Sequence, residues 1–179
     1  MYYNHQTIWS EKLPSLIWSR NWHNKEDNET LCKYAAKVKD GHVLEIGSAE
    51  GQFMVSMLLS TSDIYGVIVD PFITPNLLTN IKAMGLDDRV MIVPTTSEKA
   101  FLPPIGFQLV FIDAVHTYEA VKHDLNKYSK TGAKYIVLHD TSLEELEKAV
   151  NEFVLKGEYE VDFIGGNITV LSKINKDLR

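Results

Sequence analysis

The chain has 179 residues, 45% of them hydrophobic and 23% charged, with a formal net charge of −6. That is the size and composition of one globular domain with a substantial core. The negative balance and the lack of any basic run argue against a nucleic-acid partner, since phosphate binding needs clustered Lys and Arg.

One cysteine, Cys32, rules out an intramolecular disulfide and reads as a buried apolar residue. No apolar stretch approaches the ~20 residues that span a bilayer, so no membrane partner is expected. The start, MYYNHQTIWSEKLPSLIWSR, has no basic segment followed by an apolar block, so no signal peptide is expected and the cytoplasm is the default compartment.

The first 24 residues are aromatic and irregular. Trp9, Trp18 and Trp22 read as a packing arm on the core or a dimer contact, with a lid over an acceptor pocket as the alternative. Residues 25–39 carry Leu31, Tyr34, Ala35 and Val38 at helical spacing, with Gly41 as a stop. From there the chain alternates. Strands are predicted at 43–46, 64–69, 89–93, 108–112 and 134–138. Helices are predicted at 52–59, 75–84, 118–129 and 143–153. Pro75 sits in a first helical turn and Gly85 at a helix end. Thr141-Ser142 with Glu145 behind them is a capping-box pattern for the last helix. Two further strands, 159–164 and 167–172, flank Gly165-Gly166, a hairpin signal. Alternating strands and helices predict a parallel sheet covered on both faces, closed at one edge by an antiparallel pair. There is no room for a second domain: residues 1–40 form an N-terminal arm and helix, and 41–173 the core.

The segment VLEIGSAEGQF places a glycine turn between the first core strand and its helix. Gly47 lets the backbone approach a ligand, and Gly51 permits a tight turn into the helix. The pattern is neither GxGxxG nor a P-loop. Its plain alternative is an ordinary strand-to-helix turn. Asp70 ends the second strand, where an acid accepts hydrogen bonds from ribose hydroxyls in nucleotide-type sites; a turn-forming Asp-Pro is the alternative. Glu45 is a charge inside an apolar strand, which demands a partner.

Two other apolar runs stop at acids with histidines close by. VFIDAVHTY ends a strand at Asp113, with His116 three residues on; YIVLHDT ends one at His139-Asp140. Neighbouring strand ends would bring both carboxylates into one crevice, where they repel unless a proton or cation sits between them. Mg²⁺ suits such a site. It would bind a substrate hydroxyl and lower its pKa. His116 is then the candidate base, because imidazole titrates near neutrality. The alternatives stay open. Asp113 competes with His116 and Thr117 to cap the next helix, and His139 can be a satisfied core histidine. The ligand pair after the fifth strand is His139-Asp140 or Asp140-Thr141. If His139 ligates, Mn²⁺ or Fe²⁺ becomes reasonable, since imidazole favours softer metals.

The glycine turn after strand one, the acid after strand two, the terminal hairpin, and the stretches FIDAVHTYEAVKHDL and GAKYIVLHDT together resemble the class I S-adenosylmethionine-dependent methyltransferases. The branch resembled holds small-molecule and sugar O-methyltransferases and cephalosporin-hydroxylase-like proteins, many of them Mg²⁺-dependent. The resemblance covers roughly residues 41–173. It implies a Rossmann-like three-layer fold with a seven-stranded, mostly parallel sheet and an antiparallel C-terminal strand. It implies that Glu45, Gly47, Ser48 and Gly51 line the methionine and ribose side of the cofactor, that Asp70 holds the ribose, and that Asp113 borders the cofactor as well as the metal. Thr96 and Ser97, after strand three, fall where adenine is usually contacted, although relatives often carry an acid at the Thr96 position. The expected reaction is metal-assisted O-methylation of a hydroxylated small molecule, with Asp113 and His116 catalytic and Asp113, Asp140 and His139 holding the metal. A non-catalytic scaffold on the same fold and a nicotinamide-dependent oxidoreductase are the rival readings. A homo-oligomer is compatible with all of them.

Overall fold

The computed structural model describes residues 3, 5–16 and 25–175. The chain opens with a short helical stretch, α1 (His5–Thr7), continued by a π-helical turn and a 3-10 turn. Helix α2 (Lys25–Ala35) leads into β1 (Gly41–Ile46), α3 (Gln52–Ser60), β2 (Ile64–Val69), α4 (Pro75–Ala83), β3 (Val90–Val93) and β4 (Phe107–Ile112). Then come α5 (Tyr118–Tyr128), β5 (Tyr135–Leu138), α6 (Glu144–Val154), β6 (Tyr159–Gly165) and β7 (Ile168–Lys173).

The seven strands form one sheet in the order β3-β2-β1-β4-β5-β7-β6. The first five pair in parallel, and β7 runs antiparallel to both β5 and β6. This is the expected three-layer architecture. Two-residue periodicity sends alternate side chains to opposite faces. Val43, Ile68, Leu109, Phe111 and Val137 pack with Leu31 of α2, Phe53 and Met57 of α3, and Leu77 and Ile81 of α4. Leu44, Ile46, Val110, Ile112 and Leu138 pack with Val121 and Leu125 of α5 and Leu146 and Val150 of α6. Because both faces are covered, the central strands read as unbroken apolar runs.

The arm packs as well. Ile8 and Leu13 are buried, Trp9 lies against the same core cluster, and the Tyr3 amide bonds the Leu59 carbonyl at 2.7 Å. Trp9 is therefore a packing residue; Trp18 and Trp22 lie outside the described residues. Cys32 is buried, and burial pushes its thiol pKa up to about 12, which suits a core residue.

Three local expectations change. Helix α2 ends at Ala35, short of residue 39, and a turn carries Val38 into the core. The hairpin turn falls on Gly166-Asn167, because Gly165 still pairs with Ile168 and the positive φ, 59°, belongs to Gly166. The capping box does not form. The N-cap of α6 is Leu143, with no side-chain cap bond. Glu145 instead accepts the Tyr118 amide at 2.9 Å, so it serves the first turn of α5, one helix away.

Candidate active site

Strand register builds the site. Ile46 pairs with Val69 on one side and Ile112 on the other, and Ile112 pairs with Leu138. The next residue of each strand, Gly47, Asp70, Asp113 and His139, therefore stands abreast at the carboxyl edge. Their amides continue the ladder: Gly47 bonds the Val69 carbonyl, Asp113 that of Ile46, and His139 that of Ile112. Strand order reverses between β1 and β4, and open α/β sheets bind ligands in that crevice.

The crevice is a cleft of about 880 Å³. Gly47, Ser48, Asp70, Asp113, His116, His139 and Asp140 all line it, with Phe53, Phe72 and Val115 as apolar walls. Phe72 is 79% exposed and Val115 60%, which leaves an apolar rim.

The glycine turn is shaped by its surroundings. Gly47 has φ 81°, and a Cβ there would run into the Asp113 carbonyl oxygen and lie 2.8 Å from the Ala114 Cα. Gly51 has φ 82° and abuts Leu77. Asp70 holds the turn from the other side. Its Oδ2 accepts the Ser48 and Ala49 amides at 2.8 and 3.2 Å, and its Oδ1 accepts the Phe72 amide at 2.8 Å. A carboxylate has about four lone-pair sites, so Asp70 keeps acceptor capacity for a ligand hydroxyl.

Glu45 lies under this turn, almost fully buried. Its carboxyl accepts the Met54 amide in the first turn of α3, and burial, followed by the charges of Asp113 and Asp70, holds its pKa well above the usual carboxylate range. Glu45 Oε2 and the buried Ser48 Oγ find no hydrogen-bond partner among the described residues. Buried polar atoms of this kind call for a ligand or water. S-adenosylmethionine, with its ammonium, carboxylate and ribose hydroxyls, fits this wall chemically.

The strand-four and strand-five ends meet as the sequence predicts. Thr117 caps α5 by accepting the Ala120 amide, which frees Asp113 and His116. His116 Nε2 lies 3.3 Å from Asp113 Oδ1 and 3.3 Å from Asp140 Oδ2. His139 Nδ1 lies 3.6 and 3.3 Å from the same two oxygens. Ligand atoms of Asp113, His139 and Asp140 lie within 4.8 Å of one another. Thr141 is directed elsewhere: its hydroxyl bonds Thr169 Oγ1 and the Asn167 carbonyl. His139 and Asp140, rather than Thr141, thus lie beside Asp113. Asp140 adopts φ 54°, a left-handed conformation that Asp tolerates better than most residues and that is common at functional sites. The His116 pKa is raised by its bond to Asp113 and by the charge of Asp140, against an opposing effect of burial.

Glu45 and Gly51 belong to the turn region without lining the cleft, and two further sequence-predicted residues lie elsewhere. Thr96 and Ser97 do not line the cleft. The Ser97 carbonyl accepts from the Tyr128 hydroxyl at 2.9 Å and from Lys127, and its side chain bonds Asp124, so this segment is fastened to α5. Sequence reasoning also missed Asp27 of α2. It is fully buried, with Oδ2 3.2 Å from His139 Nε2 and Oδ1 accepting the Asn167 amide at 3.0 Å. An acid in a helix's first turn was the one signal in the sequence, and its partners are too distant along the chain to be read.

Residues 44–141 match the family described as Methyltransferase domain. No curated protein sequence matches the chain. Among solved structures it is similar to a putative caffeoyl-CoA O-methyltransferase from Staphylococcus aureus. That match has TM-score 0.73 and 13% identity over 96% of this chain and 93% of the other. It is also similar to a precorrin-6y C5,15-methyltransferase from Geobacter metallireducens GS-15, with TM-score 0.71 and 15% identity over 92% and 96%. A tRNA (m1A58) methyltransferase from Aquifex aeolicus has TM-score 0.69 and 14% identity over 90% and 73%. At these identities the likeness speaks for the fold; the family match covers more than half of the chain and includes the glycine turn, Asp70, Asp113, His116, His139 and Asp140. The chain therefore belongs to the methyltransferase-domain family and is an S-adenosylmethionine-dependent methyltransferase.

Proposed function

We propose that this enzyme methylates a hydroxyl group of a small molecule, a sugar or another polar acceptor with an apolar face, with help from a divalent metal. One observation carries the reading: Asp113 and Asp140, from adjacent strand ends, converge on His116 Nε2, each at 3.3 Å, at the wall of the cofactor cleft.

The donor set fits a cation. Two carboxylates and an imidazole nitrogen within 4.8 Å of one another supply opposite charge and at least three ligand atoms. Asp113, His139 and Asp140 would hold a divalent ion, which would lower the pKa of a hydroxyl bound to it. His116 lies beside that position and takes the hydroxyl proton at Nε2 as the acceptor oxygen bonds the methyl carbon and the carbon–sulfur bond breaks. Its pKa is raised by the bond to Asp113 and by the charges of Asp113 and Asp140, so a cation that neutralised those carboxylates would lower it and leave more of the imidazole neutral and ready to take the proton. The glycine turn and Asp70 orient the cofactor. Alignment of oxygen, carbon and sulfur is the protein's main contribution to such a displacement. Phe72 and Val115 give the acceptor an apolar rim.

The test is calorimetric titration of the full chain with S-adenosylhomocysteine, with and without Mg²⁺ or Mn²⁺, beside an NAD⁺ control. Micromolar binding strengthened by the metal, and none of NAD⁺, is the expected result. Cofactor binding with no metal effect, followed by metal-independent turnover, would remove the metal from the reaction and leave a plain methyltransferase.

A further inference from the structure

We infer that Asp27 is a positioning residue for metal ligation by His139, and that this pairing turns a carboxylate site of the Mg²⁺ type into one preferring a first-row transition ion. The inference rests on the metal-assisted reading above.

His139 is 4% exposed and presents its two nitrogens to opposite sides. Nδ1 faces Asp113 and Asp140; Nε2 faces Asp27. An imidazole can ligate through Nδ1 only if the Nδ1 lone pair is free, so the ring proton must sit on Nε2. A carboxylate at Nε2 enforces that tautomer, because an ionised carboxylate only accepts hydrogen bonds. Carboxylate–histidine–metal relays work this way, and they also raise the donor strength of the imidazole.

Asp27 is itself held firmly. It lies in the first turn of α2, where the helix N-terminus favours a negative charge. Its Oδ1 takes the Asn167 amide in the β6–β7 turn. A side chain at Gly166 would collide with that same oxygen, and Gly166 has φ 59°, so the turn is pressed against Asp27. The imidazole ring packs beside Phe53 and Phe111, with centroids 5.3 and 6.3 Å away. Helix, hairpin turn and core thus fix one ring. Such rigidity has little use for a mere filler of the core, whereas ligands benefit from a fixed orientation. Neither Asp27 nor Asn167 falls in the matched family segment 44–141, so this support is supplied by the flanking parts of the chain.

The consequence is selectivity. One nitrogen and two oxygen donors favour Mn²⁺, Fe²⁺ or Co²⁺ over Mg²⁺, which prefers oxygen alone.

The experiment titrates Mn²⁺ by electron paramagnetic resonance into the full chain, with Mg²⁺ as competitor, for wild type, Asp27→Asn, His139→Ala and the double variant. In Asp27→Asn the side-chain carbonyl would still accept the Asn167 amide, but the new NH₂ group would donate to Nε2 and drive the ring proton to Nδ1. The expected result is Mn²⁺ affinity at least ~10-fold weaker in Asp27→Asn, with S-adenosylhomocysteine binding and near-UV circular dichroism unchanged. Asp27→Asn is expected to add nothing in the His139→Ala background. Equal Mn²⁺ affinity in wild type and Asp27→Asn overturns the inference and leaves the metal-assisted reading standing; so does an equal further loss in the His139→Ala background. Absence of Mn²⁺ binding by a wild type that binds S-adenosylhomocysteine overturns both. As a check independent of any variant, ¹⁵N-histidine NMR of Cd²⁺-loaded wild type should show a protonated Nε2 and a bound Nδ1 on His139. The reverse assignment sinks the inference.

Discussion

Asp70 and Ser48 are joined by a 2.8 Å hydrogen bond from the Ser48 amide to Asp70 Oδ2, so the acid after the second strand shapes the glycine turn before any cofactor arrives. The same carboxylate takes two more amides, from Ala49 and Phe72. Asp70→Ala removes three accepted hydrogen bonds at once. Expected are a loss of S-adenosylhomocysteine affinity of about 100-fold and a stability loss of about 2 kcal/mol, the scale of losing hydrogen bonds to a charged acceptor. Calorimetry and urea denaturation read the two. Unchanged affinity would show that the turn keeps its shape without Asp70.

Gly47 tests the same wall from the strand side. Its φ of 81° and the Asp113 carbonyl where a Cβ would go make Gly47→Ala strained. A destabilisation of about 2 kcal/mol or more is expected, since left-handed strain and a backbone clash add. Thermal denaturation measures it; a variant as stable as wild type would mean that the turn can relax away from β4.

If His116 is the proposed base, His116→Ala is expected to lower kcat by about 100-fold or more while leaving S-adenosylhomocysteine affinity within about twofold, because general-base help is worth that much and the side chain lies beside Asp113 and Asp140. Asp113→Asn is expected to lose turnover and Mn²⁺ binding together. A His116 variant with normal turnover would move the base elsewhere.

Glu45 carries a pH prediction. Its folded pKa is raised from the ordinary 4.5, first by burial and then by Asp113 and Asp70. Between that ordinary value and the raised one the folded chain holds a proton that the unfolded chain has lost. Stability contributed by this group therefore falls as pH rises through the window. Glu45→Gln keeps an acceptor for the Met54 amide and cannot ionise. The melting temperature of the variant minus that of wild type, without cofactor, should grow from pH 5 to pH 8. A flat difference would show that Glu45 is relieved of its charge by some other route.

The sheet was legible from the sequence because alternation is local. Apolar runs of strand length, each followed by Gly, Asp or His, gave the strands ending at Ile46, Val69, Ile112 and Leu138 within a residue. The convergence of Asp113 with Asp140 followed from parallel strands having their carboxyl ends on one edge, and the glycine turn from the need for positive φ at Gly47 and Gly51. Helix ends were less legible. Glu145 fits a capping-box pattern equally well whether it serves its own helix or a neighbour, and only packing of α5 against α6 decided for Tyr118.

What the sequence determined by itself was the layered fold, the cofactor crevice and the acid–histidine pairs at its rim, all of which depend on spacing within a few residues. Tertiary structure alone decided three things. It turned Ser97 toward α5, joined His139 rather than Thr141 to Asp113, and set Asp27 behind His139. Each depends on side chains brought together from separate elements, and 112 residues separate Asp27 from His139. A periodic pattern reports which face of an element is buried; it carries no information about which distant polar group waits there.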